Sequence, residues 1–322
     1  MAEKRLENEV REVLTHIENG RHFLLSGGAG SGKTYSLVQV IKEIIRRNPK
    51  SQIACITYTN AAVKEIQERV DHDNLKVSTI HDFLWDMIKA FQKEIKSCLL
   101  KLINDPENKI PNPNADNTPY VNSFEEGIQY QEYLSIAKGV IAHNEVLLLA
   151  NMMYKKYKRL CDILKDKYKF IFFDEYQDTS PAVIEILLEH IRKSEKECVV
   201  GFFGDSMQSI YEDGVGDLDL YLQSQQVVEI QKLQNRRNPQ AVIELANKLR
   251  LDSLRQEASK DEHAPNMENG AIKPGRVIFL YSQSADIDTI KMSAYFQDWD
   301  FFDAQNTKEL NLTQTVNASN LL

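Results

Sequence analysis

The stretch Gly27-Gly28-Ala29-Gly30-Ser31-Gly32-Lys33-Thr34 decides the fold of this 322-residue chain. It fits the pattern G-x-x-x-x-G-K-[ST], and it lies between an apolar run, His22–Ser26, and a helical pattern, Thr34–Arg47. Glycines let backbone N–H groups point at phosphate oxygens without a Cβ in the way, and the helix N-terminus adds the positive end of its dipole. We therefore predict a phosphate-binding loop in which Lys33 reaches the β- and γ-phosphates of ATP and the Thr34 hydroxyl ligates Mg²⁺.

The rest of the chain alternates short apolar runs with longer helical patterns. The candidate strands are His22–Ser26, Gln52–Thr57, Phe170–Phe173, Cys198–Phe203 and Arg276–Tyr281. The candidate helices are Thr34–Arg47, Ala61–Val70, Pro181–Lys193 and Pro239–Leu251. This alternation predicts an α/β fold, with a parallel sheet flanked by helices. Because the strand candidates are apolar nearly throughout, they should be buried on both faces of the sheet.

Two polar segments interrupt the alternation. Asn104–Ser123 contains four of the nine prolines of the chain among Asn and Asp residues, which predicts a loop inside an inserted helical subdomain, roughly Trp85 to Leu149. Gln256–Gly275 is polar and contains Gly and Pro, so it predicts a second loop.

A second candidate site lies at the end of the apolar run Phe170–Phe173, which is followed by Asp174 and Glu175. A P-loop enzyme needs an acid at the end of a nearby strand to hold Mg²⁺, and we expect this strand beside the first one. Asp174 is then the metal ligand, and Glu175 orients or deprotonates the attacking water. Acids often follow strands, so the pair gains its meaning only from the P-loop upstream.

Composition excludes several classes of protein. The four cysteines are widely spaced without a C-x-x-C pair, so neither a zinc site nor a disulfide framework is indicated. The charged N-terminus has no apolar leader, and no apolar stretch is long enough to span a membrane, so we expect a cytoplasmic protein. The net charge of −8 argues mildly against nucleic-acid binding, although a protein that binds nucleic acid needs only a local basic track. One candidate for such a track is the lysine-rich stretch Asn151–Phe170, whose alternative is a solvated helix face.

Five further blocks resemble the conserved motifs of UvrD/Rep-type superfamily 1 DNA helicases, in the order of that family. Thr57–Ala62 is similar to the family pattern T-F-T-N-x-A-A, and Ser78–His81 is similar to G-T-F-H. Asp174–Thr179 is similar to D-E-x-Q-D-[TS]. Gly204–Tyr211 is similar to G-D-x-x-Q-S-I-Y, and Gln234–Asn238 to Q-N-Y-R-S. The resemblance covers roughly Arg21 to Leu251.

The resemblance implies roles that the single residues would not suggest. Gln208 would sense the γ-phosphate, Arg237 would reach it as an arginine finger, and Arg236 would stack on the adenine in place of the family's tyrosine. The single-stranded DNA track would be lined by Tyr58, Thr59, Asn60, Thr79, His81 and Tyr211. Taken alone, these residues have ordinary interpretations. His81 would be a histidine with its hydrogen bonds made within the protein, Tyr58 a half-buried aromatic residue of a strand, and Arg237 half of a surface ion pair.

The resemblance also implies a domain organisation. Residues 1–230 would form a RecA-like ATP-binding domain with a helical insertion at about 85–149, and residues 231–322 would begin a second RecA-like domain. The later family blocks are not found before Leu322, so we expect this second domain to be incomplete. Either the chain is truncated, or a second polypeptide supplies the missing part.

One departure from the family bears on function. Glu212, Asp213 and Gly214 follow Tyr211, where the family has an aromatic residue and an arginine, so the grip on DNA should be weaker or differently placed. The first hypothesis is an ATP-driven translocase or helicase on single-stranded DNA. The second is an ATPase switch within a complex, with a nuclease as the partner, in DNA repair or phage defence. A P-loop kinase is the third, and the Gln177-Asp178 pair argues against it.

Overall fold

The computed structural model describes residues 6–107, 110–114, 116, 118–209, 218–281, 291–297, 299–303 and 307–308. The helices of eight or more residues are α1 (Asn8–Glu18), α2 (Lys33–Arg47), α3 (Asn60–Arg69), α4 (Ile80–Ile88), α5 (Gln92–Ile103), α6 (His143–Lys156), α7 (Lys158–Lys167) and α10 (Gln240–Leu249). Two shorter helices are α8 (Pro181–Ile184) and α9 (Asp219–Gln223).

One six-stranded parallel sheet organises the chain. Its strands are β1 (His22–Ser26), β2 (Ile53–Thr57), β3 (Leu75–Thr79), β6 (Phe170–Asp174), β7 (Val199–Gly204) and β8 (Val227–Gln231). Three two-stranded ladders pair β4 (Gln129–Tyr130) with β5 (Val140–Ile141), β9 (Gln234–Asn235) with β10 (Glu257–Ala258), and β11 (Met267–Glu268) with β12 (Ala271–Ile272). The predicted α/β class, a parallel sheet flanked by helices, is confirmed.

The strand order corrects one expectation. The sheet runs β3-β2-β6-β7-β1-β8, so β7 lies between the P-loop strand β1 and the strand β6 that ends at Asp174. The two strands are therefore not neighbours, as the sequence had suggested. Because all strands are parallel, their carboxyl ends still meet at one edge of the sheet, where ligands bind in open α/β folds.

Each strand sends alternate side chains to two separate cores. On one face, Phe23, Phe172 and Phe203 pack together with ring centroids 5.6–6.1 Å apart, beneath α1, α2 and α3. On the other face, residues such as Leu24 and Phe202 pack against α4 to α8. Burial on both faces explains why the central strands are almost wholly apolar.

A glycine in β7 makes room for the aromatic cluster. A Cβ on Gly201 would lie 2.2 Å from the ring of Phe23 and 2.9 Å from that of Phe172. Gly201 pairs with Phe23 in the register of β1 and β7, so the two rings cover the position that its side chain would occupy. Only glycine fits at this point of the sheet.

The helical insertion follows β3. It consists of α4, α5, the described part of the loop between Asn104 and Phe124, the β4–β5 ladder and α6. Asn104 anchors the loop, since its amide donates to the carbonyl oxygen of Tyr120 at 2.9 Å and its carbonyl oxygen accepts from the Tyr120 N–H at 2.7 Å. α6 then packs on α4 and α5 and leads through α7 back to the sheet at β6.

Four element predictions were wrong or incomplete. β3 and β8 were missed because they are the edge strands, where half of the side chains face solvent and the run is not apolar throughout. Arg276–Tyr281 forms no strand in the structure, and its Phe279 and Tyr281 side chains are exposed. The predicted helix Pro181–Lys193 changes from α8 to a π-helical turn at Glu185–His190 and ends in a 3₁₀ turn.

The lysine-rich stretch is partly buried. The Lys165 side chain is 8% exposed, and its ammonium group donates to the carbonyl oxygens of Ser194 at 3.0 Å and Lys196 at 2.9 Å. Lys165 therefore closes the loop before β7 and does not belong to a surface track. Lys155, Lys156, Lys158 and Arg159 are exposed.

The chain divides into two compact units, Met1–Arg276 and Val277–Leu322. Within the described part of the second unit, a 3₁₀ turn at Ala294–Phe296 packs beside a small aromatic group. The ring centroids of Phe296, Trp299 and Phe301 lie 5.2–6.0 Å apart. No described helix is both long and apolar enough to cross a membrane.

Candidate nucleotide and nucleic-acid site

The P-loop connects β1 to the first turn of α2. Gly30 and Gly32 have φ angles of 84° and 85°, a left-handed backbone that L-residues with side chains rarely adopt. The Lys33 ammonium donates to the carbonyl oxygen of Gly27 at 2.8 Å, so this buried lysine spans the loop. The loop thus has a cradle shape, with a lysine at its floor.

A cavity of about 300 Å³ opens above this loop. It brings together Lys33 and Thr34 from α2, Glu175 after β6, Gln208 after β7 and Arg237 after β9. The other lining residues are Gly28, Ala29, Gly30, Gly32, Tyr35, Glu65 and Arg69. Five residues that the sequence assigned to nucleotide chemistry therefore share one cavity, although they are spread over 200 positions of the chain.

Asp174, the last residue of β6, contacts the cavity residue Thr34. The Thr34 hydroxyl donates to Asp174 Oδ2 at 3.3 Å, and the carboxylate is 5% exposed. Burial, followed by the charge of Glu175, raises the pKa of Asp174 to about 7. In the part of the chain that the structure describes, Asp174 Oδ1 is buried without a hydrogen-bond partner. A hydroxyl beside a buried, unsatisfied carboxylate oxygen suits a hard cation such as Mg²⁺.

Glu175 is held in an unusual backbone conformation. Its φ of 52° and ψ of 51° are left-handed, which is uncommon for a residue other than glycine, and such strain concentrates at functional sites. The Gln177 amide donates to Glu175 Oε2 at 2.9 Å, and Gln177 Oε1 in turn accepts from the Asp205 N–H at 3.1 Å. Gln177 is 2% exposed, so a buried amide fixes the direction of the Glu175 carboxylate.

Gln208 is oriented by a buried carboxylate. Its amide donates to Asp205 Oδ2 at 2.6 Å, at the end of a 3₁₀ turn that Asp205 caps through the Met207 N–H at 3.2 Å. Gly204, the last residue of β7, leaves space for Gln177, because a Cβ there would lie 2.3 Å from Gln177 Oε1. The two glutamines therefore approach the cavity through one connected network.

The segment after β8 closes over the P-loop. The Arg236 N–H donates to the carbonyl oxygen of Gly30 at 2.9 Å, and the buried amide of Asn235 donates to that of Ala29 at 2.8 Å. A Cβ on Gly30 would lie 2.8 Å from Asn235 Oδ1 and 2.9 Å from the Cβ of Arg237. Glycine at position 30 thus permits both the turn and the close approach of this segment.

The Arg236 side chain does not line the cavity above the P-loop. Its guanidinium forms an ion pair with Asp261, and it lines a neighbouring polar cavity of about 410 Å³ together with Glu7, Arg11 and Lys232. Lys232 pairs with Glu7, which also accepts from the Ser36 hydroxyl at 2.9 Å on α2. The role of Arg236 as a stacking partner of a base stays a prediction.

A larger cavity, of about 660 Å³, lies at the same edge of the sheet, between the ends of β2, β3 and β6 and the insertion. Two residues of the predicted DNA track, Tyr58 and His81, line it. His143 at the start of α6 lines it as well, and its ring centroid lies 4.6 Å from that of His81 and 5.5 Å from that of Tyr130. Burial, followed by the nearby His143, lowers the pKa of His81 to about 4, so the ring is neutral at pH 7.

The other predicted track residues have different positions. The Thr59 hydroxyl caps α3 by accepting from the Ala62 N–H at 3.2 Å, and the Thr79 hydroxyl caps α4 by accepting from the Asp82 N–H at 3.3 Å. Asn60 is the exposed first residue of α3. Tyr211, like Glu212–Gly214, lies outside the described residues.

Sequence reasoning gave no role to several residues that shape the site. Gln177, Asp205 and Asn235 lie inside the quoted blocks, and polar residues in apolar surroundings are the signal that would have singled them out. Arg250 had no local signal, although its guanidinium pairs with Asp205 at 2.7 Å from 45 positions away.

The sequence profile of a known family matches a continuous part of this chain. The AAA domain profile matches residues 11–213, from α1 to the segment after β7. This range includes the P-loop, Asp174, Glu175 and Gln208, and it is more than half of the chain.

Several curated proteins are similar to the chain. Gabija protein GajB of Bacillus cereus (strain HuB5-5) is 29% identical, over 92% of this chain and 55% of that protein. The ATP-dependent DNA helicases Rep of Salmonella typhimurium and PcrA of Staphylococcus epidermidis (strain ATCC 35984) are each 25% identical. Those alignments cover 70% and 65% of this chain and 40% and 34% of the helicases. The chain thus spans about a third to a half of the length of these relatives.

Proposed function

Because this chain belongs to the AAA domain family and is a helicase-type P-loop NTPase, we propose that it couples the binding and hydrolysis of Mg·ATP to movement on single-stranded DNA. The observation that carries the proposal is the cavity above the P-loop. This cavity is lined by Lys33, Thr34, Glu175, Gln208 and Arg237. The larger cavity, with Tyr58 and His81, lies at the same edge of the sheet.

In this proposal the P-loop holds the phosphates. The N–H groups of Gly27–Thr34 and the dipole of α2 face the β-phosphate, and Lys33 exchanges its bond to the Gly27 carbonyl oxygen for phosphate oxygens. Thr34 and Asp174 would hold Mg²⁺, which neutralises charge on the β- and γ-phosphates when it is bound. Asp174 must be ionised to do so, and its raised pKa of about 7 falls when a cation approaches.

Hydrolysis needs an oriented water and stabilisation of the charge that develops on the γ-phosphate. Glu175, aimed by Gln177, accepts the proton of the attacking water. Gln208 contacts the γ-phosphate, and Arg237 supplies positive charge to it, as an arginine finger does. Both residues line the same cavity as Lys33, so one terminal phosphate could contact all three side chains.

The single-stranded DNA would cross the carboxyl edge of the sheet. Tyr58 is 38% exposed and lies at the end of β2, where its ring can stack on a base, and the neutral His81 ring lies at the end of β3. Stacking on an aromatic ring is tolerant of sequence, because every base has a π-face. Thr59, Asn60, Thr79 and Tyr211 complete the proposed track.

ATP hydrolysis measured with and without single-stranded DNA tests the proposal. We expect hydrolysis that rises on addition of an unstructured oligonucleotide such as oligo-dT and that is lost in the Lys33→Ala variant. Equal rates of ATP hydrolysis with oligo-dT and with buffer alone would argue against a DNA motor. Hydrolysis that survives Lys33→Ala in protein free of other ATPases would argue against the P-loop as the site of hydrolysis.

A second candidate is an ATPase switch within a complex that contains a nuclease. The sequence favours it at one place, since the acids Glu212 and Asp213 follow Tyr211, where helicases of the UvrD/Rep type have an aromatic residue and an arginine. The same assay separates the two candidates, because a switch should bind and hydrolyse ATP without a response to oligo-dT until its partner protein is added.

A further inference from the structure

Helix α10 (Gln240–Leu249) carries an arginine near each of its ends. Arg237 precedes the helix and lines the cavity above the P-loop, and Arg250 follows its last residue. Ten helical residues span about 15 Å. One continuous element therefore joins the phosphate cavity to a second arginine, and the Arg250 side chain is only 9% exposed.

Arg250 grips both oxygens of Asp205. Its Nη1 donates to Asp205 Oδ2 at 2.8 Å and its Nη2 to Asp205 Oδ1 at 2.7 Å. The same guanidinium donates to Asp252 at 2.8 Å through Nε. A planar guanidinium bound to both oxygens of a carboxylate fixes the direction of that carboxylate, which a lysine ammonium does not.

Asp205 passes this orientation on to Gln208. The Gln208 amide donates to Asp205 Oδ2 at 2.6 Å, the oxygen that also accepts from Arg250 Nη1. Burial alone would raise the pKa of Asp205, but the hydrogen bonds from Arg250 and Gln208 outweigh it and lower that pKa. Asp205 is therefore an ionised acceptor held between the two side chains, and its own carboxylate is 2% exposed.

We propose that Arg250 is a positioning residue, which holds Gln208 in the phosphate cavity by clamping Asp205. The inference rests on the proposed function, in which Gln208 contacts the γ-phosphate. Since Arg250 and Arg237 flank the same helix, a shift of α10 that moves Arg237 also pulls on Asp205 and so on Gln208. The two proposed γ-phosphate contacts, Gln208 and Arg237, are then linked through one helix.

The competing explanation is that the Arg250–Asp205 pair only fastens residues 231–276 to the sheet. A fastening pair would affect stability and the binding of every nucleotide alike. A positioning residue would affect the discrimination between a nucleotide with a γ-phosphate and one without it, and only as long as Gln208 is present.

The test measures the affinity of the full chain for AMP-PNP and for ADP, each with Mg²⁺, by calorimetry. The quantity of interest is the preference for AMP-PNP over ADP, in wild type, Arg250→Lys, Gln208→Ala and the double variant. We expect Arg250→Lys to lower the preference about fivefold or more, within the usual range for coupled sites, with ADP affinity changed less than twofold. In the double variant the preference should equal that of Gln208→Ala alone, because Arg250 acts through Gln208.

Asp252→Asn is the matched control, because it removes the other carboxylate that Arg250 contacts and leaves Asp205 in place. It should keep the preference within twofold of wild type. If Arg250→Lys does not fold, Asp205→Asn replaces it in the same cycle, since the loss of the carboxylate charge also releases the clamp. An unchanged preference in the single variant, or effects that multiply in the double variant, would overturn the proposal.

Hydrogen exchange of the peptide that covers residues 204–209 gives a readout that needs no nucleotide. Arg250→Lys should speed exchange at the Met207 and Gln208 amides, whereas Asp252→Asn should not. If the wild type bound neither nucleotide, the proposed function would be wrong. The exchange rates would still show whether Arg250 holds Asp205 and Gln208 in place. Equal exchange in wild type and Arg250→Lys would refute this role of Arg250.

Discussion

The Thr34 hydroxyl donates to Asp174 Oδ2 at 3.3 Å, while the carboxylate itself is buried at the end of β6. The two residues are 140 positions apart in the sequence, and they meet because α2 begins at the edge of the sheet where β6 ends. A carboxylate in this position has a cost, since burial and the charge of Glu175 raise its pKa to about 7. The raised pKa means that an ionised Asp174 is electrostatically unfavourable for the protein alone, and a bound cation would relieve this cost.

Asp174→Asn should therefore stabilise the chain at pH 8 when Mg²⁺ and nucleotide are absent. The folded state binds the Asp174 proton more tightly than the unfolded state does, so this group stabilises the fold at low pH, and that stability is lost as the pH rises towards 7. Each unit of pKa shift is worth about 1.4 kcal/mol. The increase in the free energy of unfolding caused by Asp174→Asn should therefore be roughly 2–3 kcal/mol larger at pH 8 than at pH 5.

Urea unfolding in EDTA at the two pH values measures this difference. Asp71→Asn, at an exposed position after α3, is the matched control for the change of a carboxylate to an amide. A gain that is equal at pH 5 and pH 8 would mean that Asp174 titrates in its ordinary range.

Lys33→Ala should abolish detectable binding of Mg·ATP. The Lys33 ammonium group is buried against the P-loop and would contact both the β- and γ-phosphates. Each hydrogen bond to a charged group is worth about 1.5–3 kcal/mol, so the loss of both contacts should be large. Calorimetric titration of wild type and variant measures the loss. Lys42→Ala, an exposed position of the same helix, should bind like wild type, and equal binding by Lys33→Ala would remove the P-loop assignment.

Glu175→Gln should bind ATP like wild type but hydrolyse it about 10²–10⁴-fold more slowly, because the amide cannot accept a proton from water. The Gln177 amide that aims Glu175 can still donate to the new side-chain oxygen, so the geometry is kept. Steady-state hydrolysis with saturating oligo-dT measures the rate. Glu12→Gln, on the exposed face of α1, should change nothing, whereas a loss of less than about threefold in Glu175→Gln would exclude Glu175 as the base.

Tyr58→Ala should weaken the binding of single-stranded DNA by an amount that is similar for oligo-dT and for a mixed sequence. Stacking of one base on an aromatic ring is worth about 1–3 kcal/mol, so the affinity should fall roughly 5- to 100-fold. Fluorescence anisotropy at low salt measures it. From the sequence pattern we expect the same of Tyr211→Ala.

Tyr133→Ala provides the comparison for this experiment. Tyr133 is an aromatic residue of the insertion that is 61% exposed and does not line the cavity with Tyr58 and His81. Its removal should leave the affinity unchanged. Wild-type affinity in both Tyr58→Ala and Tyr211→Ala would place the DNA elsewhere on the protein.

The nucleotide part of the site could be predicted because its signals are local. The glycines of the P-loop, the apolar strand before Asp174 and the block around Gln208 each contain their own evidence within about ten residues. The parallel sheet followed from the same apolar runs. The structure places Lys33, Glu175, Gln208 and Arg237 around one cavity, although their catalytic roles stay predictions.

Other features depend on contacts between distant segments. The edge strands β3 and β8 are half polar, so an apolar run could not reveal them, and the position of β7 between β1 and β6 is set by topology alone. Arg250 is one of many arginines until the fold brings it to Asp205. The Arg276–Tyr281 run shows the reverse error, since an apolar pattern at that point has no strand partner in the described chain.

The contacts that Asn235 and Arg236 make with the P-loop also bear on kinetics. The carbonyl oxygens of Ala29 and Gly30 accept hydrogen bonds from the Asn235 amide and the Arg236 N–H, respectively. The space beside Gly30 is too small for even a methyl group. The loop cannot widen around a departing nucleotide unless the neighbouring segment retreats with it. Exchange of ADP for ATP should then be slow and limited by a protein motion, so that its rate responds to viscosity and to changes at Asn235 more than to nucleotide concentration.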